Sequence, residues 1–358
     1  MKIGFIIGTL NFSGAEKIAR YLIESLHKDH GHEIGLLLLS GENTYPELDY
    51  VKQFSIKAKG NVISRVLNRQ KQIRRIVEEE KYDVVVSFGF KFNLDAMEAL
   101  RSSKSPVILC ERNDPVNDPA RKLLRIRRNL IYKKATGFVF QTERIADFFG
   151  EKIKSRCAVI PNFIEKKYEK ADHESAENNI VITARLSEKQ KNLSMLLRAF
   201  NRFSKGNDYK LYIVGDGPDE AMYKAYIKEN SLEDRVILTG RQKVMPYLQN
   251  AKFFVLSSYY EGMPNSLIEA LAVGLPCIAT DCSGGGAAAL IKNGENGILV
   301  PSNDEDAMVD AMTKMASDSE LRIRLANEAY KINETLEFNK IISMWINYIE
   351  SVAKGGKK

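Results

Sequence analysis

The amino-acid sequence predicts an α/β architecture of two Rossmann-like, doubly wound domains facing a cleft. Short apolar runs rich in β-branched residues alternate with helix-period segments from one end of the chain to the other, and repeated βα alternation selects a mainly parallel sheet flanked by helices. A length of 358 residues exceeds one ordinary core and suits two domains of about 150 to 180 residues. The alternation is interrupted once, by the polar and charged stretch from Glu165 to Asn179, and then resumes. These observations place an N-terminal domain at 1–162, a C-terminal domain at 163–334 and a final helix at about 335–353.

Taken in order, Ile3-Gly4-Phe5-Ile6-Ile7-Gly8 reads as the opening strand. It is too short, and too soon followed by polar Thr9 and Asn11, for a signal peptide or membrane span. Further strands are expected at 33–39, 82–88, 106–110, 136–141 and 157–160, with helices near 14–28, 62–80, 92–102, 119–134 and 142–150. After the linker, strands resume at 180–183, 210–214, 236–238, 252–256, 276–279 and 297–300. The tail is helical, at 304–316, 319–332 and 335–352.

Composition narrows the chemistry. Cys110, Cys157, Cys277 and Cys282 show no zinc-ligand pairing and read as reduced thiols of a cytoplasmic protein. The four histidines, His27, His30, His32 and His173, fall on helix ends, turns or the linker, which argues against a His-based metal site or triad. Net charge is +7 and uneven: residues 1–160 carry 28 Lys and Arg against 19 Asp and Glu, the other 198 carry 25 against 27. The excess concentrates in Arg65–Arg75 and Arg121–Lys134, where Leu123, Leu124, Ile126, Leu130 and Ile131 can share part of one helical face. That segment reads either as an ordinary solvated helix on its own sheet or as a surface drawn to anionic lipid headgroups or a lipid diphosphate, at about 1 kcal/mol per basic residue. No aromatic interleaving or known binding module points to nucleic acid.

The densest constellation is Ser257-Ser258-Tyr259-Tyr260-Glu261-Gly262-Met263-Pro264-Asn265-Ser266-Leu267-Ile268-Glu269-Ala270-Leu271. Glu261 closes an apolar strand, and Pro264 suits the first position of a helix that carries Glu269. Amides around Asn265, Ser266 and Leu267 would then present the positive helix end to a diphosphate. Glu269 would lie roughly 7.5 Å along the axis from Pro264, so one carboxylate could hold ribose hydroxyls and the other sugar hydroxyls. Arg185, with Lys191 six residues on, follows the strand at 180–183, and both could reach the diphosphate; Lys189 is a nearby competitor.

Strand end, Glu-Gly-x-Pro, helix and then Gly274-Leu275-Pro276 resemble the signature of glycosyltransferase family 4, retaining enzymes of the GT-B fold that use nucleotide-sugar donors. The resemblance covers essentially the whole chain. It implies that Arg185 and Lys191 hold the donor diphosphate, Glu261 orients the sugar, Glu269 binds the ribose, and Gly262 and Met263 line the turn between them. Gly240-Arg241 resembles the loop that reads the nucleobase, which assigns Arg241 to the donor. Gly8 to Glu16 resembles the family's Gly-Gly-Ala-Glu loop with Ser13 in place of the first glycine. Gly14 would let the backbone approach the donor, and Ser13 and Glu16 become acceptor candidates. Glu111, Arg112 and Asn113 are expected to contact acceptor or sugar, with Arg112 standing near where many relatives have a histidine. Gly215-Asp216-Gly217-Pro218 reads as a tight turn. Gly284-Gly285-Gly286 could form an anion nest, but Ala287-Ala288-Ala289 replace the Pro and Glu that often follow it.

The expected function is transfer of a hexose or N-acetylhexosamine from a UDP-sugar to a hydroxyl of a polyprenyl-diphosphate-linked glycan at the inner face of the cell membrane. Capsule, O-antigen and exopolysaccharide assembly are typical settings. No metal and no cofactor besides the UDP-sugar substrate are expected. Arg185, Lys191 and Glu261 are the catalytic candidates. Two rivals stay open: a GT-B nucleotide-sugar 2-epimerase or hydrolase, and a non-catalytic UDP-sugar-binding assembly protein at the membrane.

Overall fold

A computed structural model describes residues 1–10, 14–39, 48–57 and 60–355. The chain divides into unit 1, residues 1–163 with 339–358, and unit 2, residues 164–338.

Unit 1 is built on seven parallel strands: β1 (Lys2–Ile7), β2 (Glu33–Leu38), β3 (Lys52–Ser55), β4 (Val84–Phe88), β5 (Val107–Cys110), β6 (Gly137–Phe140) and β7 (Cys157–Val159). Their order is β3-β2-β1-β4-β5-β6-β7. Central strands are covered on both faces and read as continuous apolar runs; β4 and β5 are buried at every position. The unpredicted strand is β3. As an edge strand with only Phe54 half-buried, Lys52-Gln53-Phe54-Ser55 has no apolar pattern to betray it.

The C-terminal helix Phe338–Gly355 packs on this sheet. Trp345 is fully buried with its ring 5.7 Å from Phe88. The Tyr348 hydroxyl accepts from Phe138 N–H at 2.8 Å and donates to the Arg156 carbonyl at 2.7 Å.

Unit 2 carries six parallel strands: β8 (Asn179–Thr183), β9 (Lys210–Val214), β10 (Val236–Gly240), β11 (Phe253–Leu256), β12 (Cys277–Asp281) and β13 (Ile298–Pro301). Their order is β10-β9-β8-β11-β12-β13. The direction of strand addition reverses between β8 and β11, as it does between β1 and β4 in unit 1, and in open α/β sheets ligands bind at the carboxyl ends beside such a switch.

The stretch expected to be a linker is bound down instead. Arg322 forks onto Glu174 at 2.8 and 2.9 Å, and the His173 ring, 4% exposed, lies 3.0 Å from the Ala251 carbonyl and 3.2 Å from that of Val273. These bonds fix residues 171–175 to unit 2.

Candidate active site

Both loops that flank the switch point of unit 2 carry charge. After β8 the chain turns through Ala184-Arg185-Leu186 and enters the short helix Glu188–Lys191. Its path is set by two glycines of the following loop: a Cβ on Gly215 would stand 2.0 Å from the Ala184 carbonyl oxygen, and one on Gly217 2.4 Å from that of Leu186. The expected tight turn therefore also positions Arg185. Leu186 N–H donates to the Asp216 carbonyl at 2.8 Å while the Leu186 side chain fills the core, leaving Arg185 exposed. Its guanidinium has no hydrogen-bond or ion-pair partner among the described residues.

After β11 the chain carries Ser257, Ser258 and Glu261, all buried. The Lys191 ammonium donates to Glu261 Oε1 at 2.5 Å, with side-chain exposures of 14% and 9%. Ser258 Oγ donates to the same oxygen at 2.7 Å, and Gln190 Nε2 approaches Oε2 at 3.4 Å. Two further bonds lock the loops together, from Ser257 Oγ to the Lys191 carbonyl and from Tyr259 N–H to the Gln190 carbonyl, each 2.8 Å. Lys191 thus meets Glu261 rather than standing alone for a diphosphate, although an ammonium has three donors. Lys189, the competitor, is exposed outside this cluster.

The helix Asn265–Ala272 follows directly. Pro264 stands one place earlier than expected: it is the N-cap, extended at φ −75° and ψ 112°, and its carbonyl accepts the first intrahelical bond, from Ile268 N–H at 3.2 Å. The amides of Asn265, Ser266 and Leu267 precede that ladder at the carboxyl edge of the sheet. Leu267 and Ile268 bury their side chains, whereas Glu269 is half-buried, four residues or about 6 Å from the helix start. Gly262 and Met263 are buried beneath the turn. Arg241 lies exposed just beyond β10.

Two glycines of the triplet are required by the fold itself. A Cβ on Gly286 would lie 1.8 Å from the Gly262 carbonyl oxygen, so Gly286 is what lets the next helix pack against the Glu261 turn. Gly285 spends its N–H on the Cys282 carbonyl at 2.9 Å.

In unit 1, Ser13 lies outside the described residues, and Gly14 opens the helix Gly14–Lys28. Glu16 accepts from Thr9 Oγ1 at 2.6 Å, tying the helix to the end of β1. Glu111 is no open sugar contact. At 2% exposure it accepts from the Tyr132 hydroxyl at 2.8 Å, and that hydroxyl in turn accepts from Asn93 Nδ2 at 2.9 Å. Burial pushes the Glu111 carboxyl up to about 7, against the pull of Arg128 and the Tyr132 bond. Asn113 is spent in its own turn, Nδ2 donating to Asp118 at 3.1 Å and Oδ1 accepting from Asp114 N–H at 2.9 Å. Arg112 alone of the three keeps donors in reserve. Its Nη2 donates to Asn162 Oδ1, which Gln141 Nε2 also reaches at 2.9 Å, while its buried Nε and Nη1 have no partner. Burial lowers its pKa to about 10.

Sequence reasoning passed over Ser258, Gln190, Tyr132 and Asn162. The only signal for any of them was a polar Ser257-Ser258 pair ending an apolar strand. A concavity of about 820 Å³ lined by Val77, Tyr82, Ser103 and Pro106 opens at the amino ends of β4 and β5, the edge of the unit 1 sheet opposite Arg112. Among the described residues no three His, Cys, Asp or Glu side chains are grouped to hold a metal.

Residues 12–168 match the family model "Glycosyltransferase Family 4" and residues 163–332 match "Glycosyl transferases group 1". The chain belongs to the family 4 glycosyltransferases. Its fold is GT-B, and it superposes on the lipopolysaccharide outer core galactosyltransferase WaaB in its apo form with a TM-score of 0.80 at 22% identity, covering 98% of this chain and 99% of that one. Among characterised relatives, a Campylobacter jejuni enzyme named as a GalNAc-α-(1→4)-GalNAc-α-(1→3)-diNAcBac-PP-undecaprenol α-1,4-N-acetyl-D-galactosaminyltransferase is 29% identical over 98% of this chain and 99% of its own. An Escherichia coli UDP-Gal:α-D-GlcNAc-diphosphoundecaprenol α-1,3-galactosyltransferase is 27% identical over 94% of both. These relatives are glycosyltransferases acting on polyprenyl-diphosphate-linked sugars.

Proposed function

We propose that this glycosyltransferase moves a hexose or N-acetylhexosamine, with retention, from a UDP-sugar to a hydroxyl of a polyprenyl-diphosphate-linked glycan in surface polysaccharide assembly. One observation carries the reading: the two loops flanking the switch point of unit 2 supply, from neighbouring strands, an unpartnered arginine, a locked Lys191–Glu261 pair and the amino end of a helix. The names of the relatives support the acceptor class.

In this reading Arg185 and the amides of residues 265–267 bind the diphosphate and stabilise the charge that grows on its β-phosphate as the bond from sugar C1 breaks. No metal is required for that role. Lys191 and Ser258 hold Glu261 oriented so that its remaining acceptor capacity meets sugar hydroxyls, and Glu269 takes the ribose. Arg241 completes the donor contacts of unit 2. The acceptor hydroxyl attacks C1 on the face that UDP leaves; the new C1–O bond forms as the old one breaks, and the hydroxyl proton passes to the departing phosphate oxygen. Arg112 and Glu16 belong to the acceptor side. The basic segments of unit 1 would bring the protein to an anionic membrane at the cytoplasmic face, where capsule, O-antigen or exopolysaccharide intermediates are extended.

The test is to incubate the protein with single UDP-sugars and extracted polyprenyl-diphosphate oligosaccharides, then determine product mass and anomeric configuration. Gain of one sugar with the donor's configuration is expected. Rearrangement or hydrolysis of the donor with no acceptor product would replace this reading by an epimerase or hydrolase.

A further inference from the structure

The sheet of unit 2 leaves an aromatic strip partly uncovered at the edge away from the charged loops. Along β8 and β9, Ile180, Ile182, Leu211 and Ile213 enter the main core, so the alternate residues Val181 and Tyr212, partners in the parallel register, point to the opposite face. Val181 is buried there, whereas Tyr212 is only half-buried. The short helix Met245–Gln249 brings up a second half-buried ring, Tyr247, its centroid 5.9 Å from that of Tyr212 and the two planes 49° apart. A concavity of about 520 Å³ opens beside the rings and is rimmed by Glu177 and Asn250, a size within the roughly 300 to 1,000 Å³ of small-molecule sites.

The rim keeps polar atoms in reserve. Glu177 Oε2 accepts from Asn179 Nδ2 at 3.2 Å, and Asn250 Nδ2 donates to the Pro246 carbonyl at 2.9 Å. Glu177 Oε1, Asn250 Oδ1 and both phenol hydroxyls have no hydrogen-bond partner among the described residues. Glu177 is the single charged residue in the described lining, so phosphates and nucleotides are repelled and a neutral ligand that offers hydroxyl donors is favoured. The two rings select further. The C–H face of a pyranose carries partial positive charge and packs on the negative face of an aromatic ring, while carboxylate and amide oxygens accept from its hydroxyls. A permanent cation would satisfy Glu177 but leave Asn250 unused.

Position separates this concavity from the reaction. Asn179 opens β8 and Asn250 lies just before β11, whereas Arg185 and Glu261 follow the carboxyl ends of the same two strands. β8 is five residues long, which at about 3.3 Å per residue puts the two edges about 16 Å apart.

We infer that Tyr212, Tyr247, Glu177 and Asn250 form a second carbohydrate site, which holds one pyranose of an uncharged glycan at the amino edge of the unit 2 sheet. The choice of a sugar among neutral ligands rests on the proposed glycan acceptor. A chain long enough to reach both edges gains affinity from this site, and a short acceptor gains none.

Saturation-transfer NMR of the full chain with maltotetraose, chitotetraose and methyl α-N-acetylgalactosaminide tests it without donor. At least one of the three sugars should bind. Tyr212→Ser/Tyr247→Ser and, separately, Glu177→Ala should each weaken that binding about tenfold or more, and Arg185→Ala should leave it unchanged. Glu177 is exposed, so its variant keeps the test decisive if loss of both rings unfolds unit 2, which circular dichroism would show. No binding of any of the three sugars, binding that folded variants leave at wild-type strength, or displacement of the sugar by tetramethylammonium at matched ionic strength would overturn the inference. Transfer to a short acceptor, which the folded variants should carry out at the wild-type rate, reports separately on the proposed function, because it engages only the carboxyl edge.

Discussion

Replacing Lys191 by Met strikes the structural centre of the candidate site. The pair it makes with Glu261 is nearly excluded from water, at 14% and 9% side-chain exposure. Removing one partner of a fully buried pair costs about 3 to 5 kcal/mol, because the other charge is left without compensation. Here Ser258 still donates to Glu261 and some solvent remains, so the expected loss is about 2 to 3 kcal/mol. Replacing both residues by Met removes the orphaned charge and should return the stability to within about 1 kcal/mol of wild type, so that the double variant costs less than the two single variants together. Urea unfolding followed by far-UV circular dichroism is the assay; the lone tryptophan, Trp345, sits in unit 1 and reports on that unit only. A single variant costing less than about 0.5 kcal/mol, or single effects that simply add, would refute the claim that these charges hold each other in place.

Three further outcomes are expected. Glu111 binds a proton more tightly folded, at about 7, than at its ordinary value of 4.5, so its contribution is full below pH 4.5 and is lost as pH rises through 7. Wild-type unit 1, followed by Trp345 fluorescence, should lose up to about 3 kcal/mol across that window relative to Glu111→Gln, and parallel pH profiles would contradict this. Arg185→Ala should lower turnover about 10²-fold with an unchanged melting temperature, since the side chain is exposed and unpartnered; near-normal turnover would remove it from the chemistry. Gly286→Ala sets a Cβ 1.8 Å from the Gly262 carbonyl oxygen, and backbone cannot swing aside as a side chain can. Calorimetry should show nucleotide affinity falling along with unit 2 stability, and unaltered affinity would separate that contact from the site.

The buried strands of both sheets were legible because parallel strands covered on two faces are written as unbroken apolar runs. Edge strand β3 was not, with three of its four residues exposed. Candidate site residues were legible as chemical types at strand ends: Arg185 after β8, Glu261 after β11, Glu269 on the next helix. Their pairing was not, because Lys191 meets Glu261 across 70 positions only once β8 and β11 lie side by side. Polarity made Glu165 to Asn179 read as a linker, since nothing local announces that Glu174 meets Arg322 148 residues later. Glu111 and Asn113 shared a strand end with Arg112, and only burial distinguishes a core network from a surface that can hold ligand.

The most direct test of the account is isothermal titration of UDP into the wild type, Arg185→Ala and Glu269→Gln, each confirmed as folded. The account predicts saturable metal-independent binding that both substitutions weaken by about tenfold or more, in line with loss of a charged hydrogen bond of about 1.5 to 3 kcal/mol. Equal affinity in all three proteins, or no UDP binding by the wild type, would contradict it.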